Sequence, residues 1–274
     1  MYSSEEEFLA HYNPNKYERL SMSTDILIFS VSDKERNNYR KNNEKVMSIL
    51  LVKRDNYPYK DRWCLPGGFL DPKKETLLDS AKRVLKNETN LEDIYLEQLY
   101  TFDCLNRDPR MRVLSTTFMA LIDKNELLSM INEKASWFNI ESIDNNDNLV
   151  TITLSNGIDN LKFSVRKTLI SKTTNNYEYH KEKSILAFDH ESVIVCGMDR
   201  IRNKIRDTDI IFNLLPKYFT LGEVQRIYET ILNKKLLDPA FRRIIKDKVI
   251  KTDIIKSDGG HRPSIMYKYK EDIK

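Results

Sequence analysis

The chain has 274 residues, 40% of them hydrophobic, and a net charge of +4. That length suits two ordinary domains with real cores, and no run is long and apolar enough to span a membrane. The acidic, polar N-terminus (MYSSEEEFLAHYNPNKYERL) argues against a secretory signal, and Cys64, Cys104 and Cys196 are too scattered for a disulfide framework or a metal site. A cytoplasmic protein with reduced thiols is therefore expected.

Taken in order, residues 5–12 predict a short helix followed by an arm. Residues 25–32 (DILIFSVS) predict a first strand, residues 33–43 a polar turn, and residues 48–54 (SILLVKR) a second strand. Trp63-Cys64-Leu65-Pro66-Gly67-Gly68 then leads into an amphipathic helix. Strands are expected at residues 95–102 and 113–122. The loop between them carries Arg107, Arg110 and Arg112, whose planar guanidinium groups suit phosphate. Residues 149–154 and 161–165 alternate on either side of Asn156-Gly157, which favours a hairpin. Residues 184–203 read as mostly helical. His11, His180, His190 and His261 form no evident cluster or triad, so each reads as an ordinary polar residue, and no nucleophile arrangement or catalytic residue is assigned.

The end of the chain is organised differently. Residues 200–274 hold 18 Lys and Arg against 10 Asp and Glu, a basic segment on an acidic body, as expected of a nucleic-acid binder attached to something else. A short apolar helix at 210–215 precedes Thr220-Leu221-Gly222-Glu223, a capping box opening a helix with Val224, Ile227, Tyr228, Ile231 and Leu232 at helical spacing. Asp238-Pro239 signals another helix start, with Asp238 as N-cap, Phe241, Ile244 and Ile245 inside, and Arg242, Arg243 and Lys246 outside. Extended runs at 249–255 and 264–269 flank a basic tip. Three helices, strand, tip, strand is the order of a winged helix. Arg242, Arg243 and Lys246 would face the major groove of a double-stranded operator, with His261 and Arg262 on the wing.

The stretch from Trp63 to Leu91 resembles the Nudix box. Gly68, Glu75, Arg83, Leu85, Glu88 and Leu91 stand at family positions, with one extra residue between Gly68 and Glu75. Val84 and Asn87 stand where the family has glutamates, and Asn90 where it has glycine. Positions 84, 87 and 88 share a helix face, and hard divalent cations need several carboxylates there; Glu88 alone remains, so no metal site is assigned. A Nudix-like domain followed by a winged helix resembles the bacterial Nudix-related (NrtR-like) transcriptional regulators. Three runs carry that likeness: residues 8–29, LAFDH at 186–190, and FNLLPKYFTLGEVQRIYETILNKKLLDPAFRR at 212–243. The resemblance implies a homodimer that binds an operator and responds to a small molecule in the Nudix cleft, ADP-ribose in one branch and a sugar in another.

These readings give an α+β chain: an N-terminal helix and arm (1–24), a Nudix-like mixed sheet between helices (25–206) and a winged-helix DNA-binding domain (207–274). The expected function is a ligand-responsive regulator needing no cofactor. Its effector would meet Arg54, Arg107, Arg110, Arg112 and the close-approaching backbone of Gly67 and Gly68. The alternative is a magnesium-dependent hydrolase of ADP-ribose or a relative, its metal site rebuilt around Glu75 and Glu88.

Overall fold

The computed structural model describes residues 3–34, 44–90, 92, 94–123, 133–171, 176–256 and 263–270. A short helix α1 (Glu5–His11) buries none of its residues. Strands β1 (Ser21–Lys34) and β2 (Glu44–Lys53) follow, then the short strands β3 (Trp63–Cys64) and β4 (Gly67–Phe69), and helix α2 (Leu77–Thr89). Next come β5 (Tyr95–Phe102), β6 (Val113–Leu121), β7 (Ala135–Asn146), β8 (Leu149–Ser155), β9 (Asn160–Ser171) and β10 (Asn176–Lys181). These ten strands form one mixed sheet ordered β10-β9-β8-β7-β2-β1-β6-β5, with β3 on β2 and β4 on β1. β1 pairs parallel with β6; β1 with β2 and the β7–β10 meander pair antiparallel.

β1 shows why helices cover both sheet faces. Side chains alternate along a strand, so Ile26 and Ile28 pack beneath α2 with Ala81, Val84 and Leu85, while Leu27, Phe29 and Val31 face the opposite way. There they meet Val193, Ile194, Met198 and Ile201 of α3 (His190–Asp207). Gly197 lets α3 approach: a Cβ there would stand 2.1 Å from the Leu27 Cδ2 atom.

The same apolar core continues past α3 through a 3-10 turn (Ile210–Leu214) into α4 (Leu221–Leu232) and α5 (Asp238–Ile245). The strands β11 (Val249–Lys256) and β12 (Ser264–Tyr269) close a two-stranded wing. Thr220 and Glu223 make the reciprocal capping bonds expected of them.

Several sequence expectations need correction. Residues 184–189 are not helical; the helix starts at His190, because Glu191 turns back to accept the N–H groups of Ile185 and Leu186. The short apolar helix expected at 210–215 is present as a 3-10 helix over Ile210–Leu214. Asp238 is not the N-cap of α5: Leu237 is, and the Asp238 carboxylate instead accepts from Gln225. Ile244 is 36% exposed, so Phe241 and Ile245 carry the inner face of α5.

Candidate effector cleft and DNA-binding face

A cleft of about 380 Å³ opens at the end of β2 and the Pro-Gly-Gly loop. Its walls include Lys53, Arg54, Gly67, Gly68, Phe69, Glu88, Arg110 and Lys134, and its floor holds Asp25, Arg107 and His190.

The floor is a buried polar network that sequence reasoning missed. Arg107 donates from Nε and a terminal nitrogen to both oxygens of Asp189 (3.1 and 2.8 Å) and reaches Asp25 Oδ2 at 3.2 Å. Ser115 also donates to Asp25. His190 accepts the Leu65 N–H at Nδ1 (2.9 Å), which leaves its proton on Nε2, 3.6 Å from Asp25. Burial works to raise the Asp25 carboxyl, but His190, Arg107 and Ser115 together hold it well below the usual carboxylate range. LAFDH supplies Asp189 and His190, so that run was the available signal; nothing in the sequence linked it to Asp25 or Arg107.

Arg107 lines the floor of the cleft rather than its mouth. It is buried and satisfied by two carboxylates. Arg112 does not line the cleft and donates to the Asp103 carbonyl at 2.6 Å. Arg110 does line it, paired with Asp108 at 2.8 and 3.0 Å and lying over the Phe69 ring at 5.1 Å. Arg54 lines it with its Nε bonded to the Pro58 carbonyl (2.8 Å) and its guanidinium 4.9 Å from the Phe188 ring. Cys64 is no reactive thiol, since burial pushes it up to about 12.

Gly67 and Gly68 differ. A Cβ on Gly67 would fall 2.2 Å from Asp25 Oδ1, so the floor carboxylate itself demands glycine; one on Gly68 would meet nothing nearer than Val84 Cγ2 at 3.5 Å.

The box residues hold the loop rather than a metal. Arg83 forms a two-point ion pair with Glu75 and donates to the Phe69 carbonyl at 3.0 Å. Glu75 also accepts the Asp71 N–H, and these donors draw its carboxyl down to about 2, Arg83 foremost. The donor set does not fit the magnesium ion that a Nudix fold implies. Val84 is buried in the core under α2, Asn87 is exposed and does not line the cleft, and Glu88 alone of the three borders it. The three positions therefore do not present one ligating face. Among the described residues, no three His, Cys, Asp or Glu side chains gather into a metal-ligating group.

On the C-terminal domain, Arg242 and Arg243 are exposed on α5, and Lys246, at its C-cap, is also exposed. His261 and Arg262 lie outside the described residues.

Comparison with known proteins agrees with this two-part architecture. Residues 38–154 match the NUDIX domain, and residues 211–269 match the NrtR DNA-binding winged helix domain. The chain is 32% identical over 272 residues to the ADPR responsive transcriptional repressor NtrR of Acinetobacter baylyi, covering 98% of this chain and 89% of that protein. The chain belongs to the NrtR family of Nudix-related transcriptional regulators. Like other NrtR-family chains it joins a Nudix fold to a winged helix. The crystal structure of Shewanella oneidensis NrtR complexed with a 27mer DNA shares the fold, with a TM-score of 0.65 and 24% identity, covering 91% of this chain and 93% of that one. So does a MutT/nudix family protein from Enterococcus faecalis, with a TM-score of 0.67 and 24% identity over 98% of this chain and 94% of that one. An ADP-ribose pyrophosphatase of Methanocaldococcus jannaschii is 35% identical over 101 residues, 36% of this chain and 59% of that protein.

Proposed function

We propose that this NrtR-family chain is a cytoplasmic, homodimeric repressor that binds a double-stranded operator and changes its affinity when ADP-ribose fills the Nudix-like cleft. The observation that carries the reading is the 32% identity to an ADPR responsive repressor, which runs through both domains. We take residues 25–206 as the sensing domain and 207–274 as the DNA-binding domain. Arg54, Arg110 and the loop at Gly67 and Gly68 would meet the effector, and Arg242, Arg243 and Lys246 the DNA. A nucleotide-sugar suits a cleft that combines cations with the exposed Phe69 ring better than a neutral sugar does. Hydrolysis fits poorly, because two of the three helix carboxylates are replaced; on this reading no cofactor is needed.

The test is fluorescence anisotropy of the full chain on DNA from upstream of its own gene, compared with scrambled DNA, with ADP-ribose and arabinose added separately. Selective binding that ADP-ribose shifts and arabinose does not is expected. Replacing both Arg242 and Arg243 with Ala should weaken binding and flatten its salt dependence by about one logarithmic unit per lost phosphate contact. Equal, weak binding to both DNAs, unmoved by either ligand, would sink the proposal.

A further inference from the structure

Resting on that reading, we infer that the effector's diphosphate is held by Lys53 and Arg54 with no divalent cation between protein and ligand. A diphosphate entering a cleft must have its charge neutralised either by a metal or by side chains. The metal route lacks donors here: Val84 lies in the core, Asn87 is exposed and does not line the cleft, and Glu88 is the sole helix carboxylate on the wall.

The side-chain route is better supplied. Five cations border the cleft. Arg107 is matched by Asp25 and Asp189, Arg110 by Asp108, and Lys134 by Asp55. Lys53 and Arg54, adjacent where β2 ends, have no carboxylate within ion-pair distance among the described residues. Charge that no carboxylate neutralises at a cleft wall is charge available to an anion.

Arg54 is also held in place. Its Nε is committed to the Pro58 carbonyl, its plane rests near Phe188 and its side chain also bonds the Cys64 thiol, which fixes the guanidinium at the cleft wall with further N–H groups to offer an incoming phosphate. Lys53 is exposed beside the Trp63 ring, a mobile point charge next to an oriented fork. A fixed guanidinium and a flexible ammonium on consecutive residues can each take one phosphate. Cross-strand pairing with β7 and β3 anchors the backbone beneath them.

The experiment is calorimetric titration of the full-length protein with ADP-ribose, in EDTA and in magnesium, for the wild type, Lys53→Gln with Arg54→Gln, and Lys53→Arg. Wild-type affinity is expected to agree within about threefold between the two buffers. The double Gln variant should lose at least about tenfold, with a melting temperature like that of the wild type, and Lys53→Arg should retain binding. Binding that requires magnesium, or a double Gln variant that binds like wild type, would overturn the inference while leaving ADP-ribose as effector. Failure of the folded wild type to bind ADP-ribose in either buffer would overturn the effector reading, and this inference with it.

Discussion

At Gly67 a single methyl group would collide with the Asp25 carboxylate at 2.2 Å and the Thr24 carbonyl at 3.0 Å. Gly67→Ala should therefore cost about 1–3 kcal/mol, whereas Gly68→Ala, with its nearest contact at 3.5 Å, should be nearly neutral. Thermal melts of the two variants would separate them, and equal melting temperatures would contradict the contact. Arg107 makes a larger case. Arg107→Ala leaves Asp25 and Asp189 buried without their guanidinium, a loss on the order of 3–5 kcal/mol at neutral pH. The pH dependence has a definite sign. The Asp25 carboxyl is depressed in the folded protein, so its stabilisation is present above the ordinary carboxylate range and fades as pH falls through that range and below. The gap between wild type and Arg107→Ala should thus be widest near neutrality and shrink below about pH 4, where the unfolded-state aspartates take up protons. Denaturant melts across pH would check this; a gap that stays constant would mean Arg107 contributes packing rather than charge.

Helix α2 shows what could and could not be read from sequence. Its apolar spacing and place after the Pro-Gly-Gly loop were legible, because periodicity and local loop chemistry set them. The roles of its box positions were not, because they depend on what the rest of the sheet places opposite. Glu75 and Arg83 look like chemistry in sequence and serve as a staple across the loop. Val84 looks like a lost ligand and is a core residue beneath Gly68. The buried Asp25–Arg107–Asp189–His190 floor draws on three distant segments, so no spacing rule could assemble it. A consequence for α2 follows. Val84→Glu should not restore a metal face but bury a carboxylate, lowering stability by at least about 2 kcal/mol. Magnesium-dependent hydrolysis of ADP-ribose by Val84→Glu with Asn87→Glu, at an unchanged melting temperature, would show instead that the face still points into the cleft.

Across the whole molecule, α3 is the element that touches both ends of the proposed switch. Its first residue, His190, and the preceding Asp189 belong to the cleft floor. Near its far end, Arg202 donates from Nε to the Ile231 carbonyl of α4 at 3.1 Å. Eighteen residues of helix span about 27 Å, so a shift at the cleft floor can be delivered as a rigid displacement to the winged helix. β2 offers a second route: Arg54 follows its end at the cleft, while the Lys45 carbonyl at its start lies 3.1 Å from the Thr230 hydroxyl of α4, which it shares as acceptor with the Arg226 carbonyl at 2.8 Å. Spatial continuity alone does not make coupling; both ligands must bias the same element. Arg202→Ala tests this because it contacts neither the cleft nor the exposed face of α5. Its ADP-ribose affinity measured alone and its operator affinity measured alone should stay within about threefold of wild type, while the factor by which ADP-ribose changes operator affinity contracts toward one. Linkage adds a check, since the factor by which operator DNA changes ADP-ribose affinity must contract equally. Undiminished coupling in Arg202→Ala would exclude the α3–α4 bond as the carrier and leave the β2–α4 contact, which Thr230→Val would then address in the same pair of titrations.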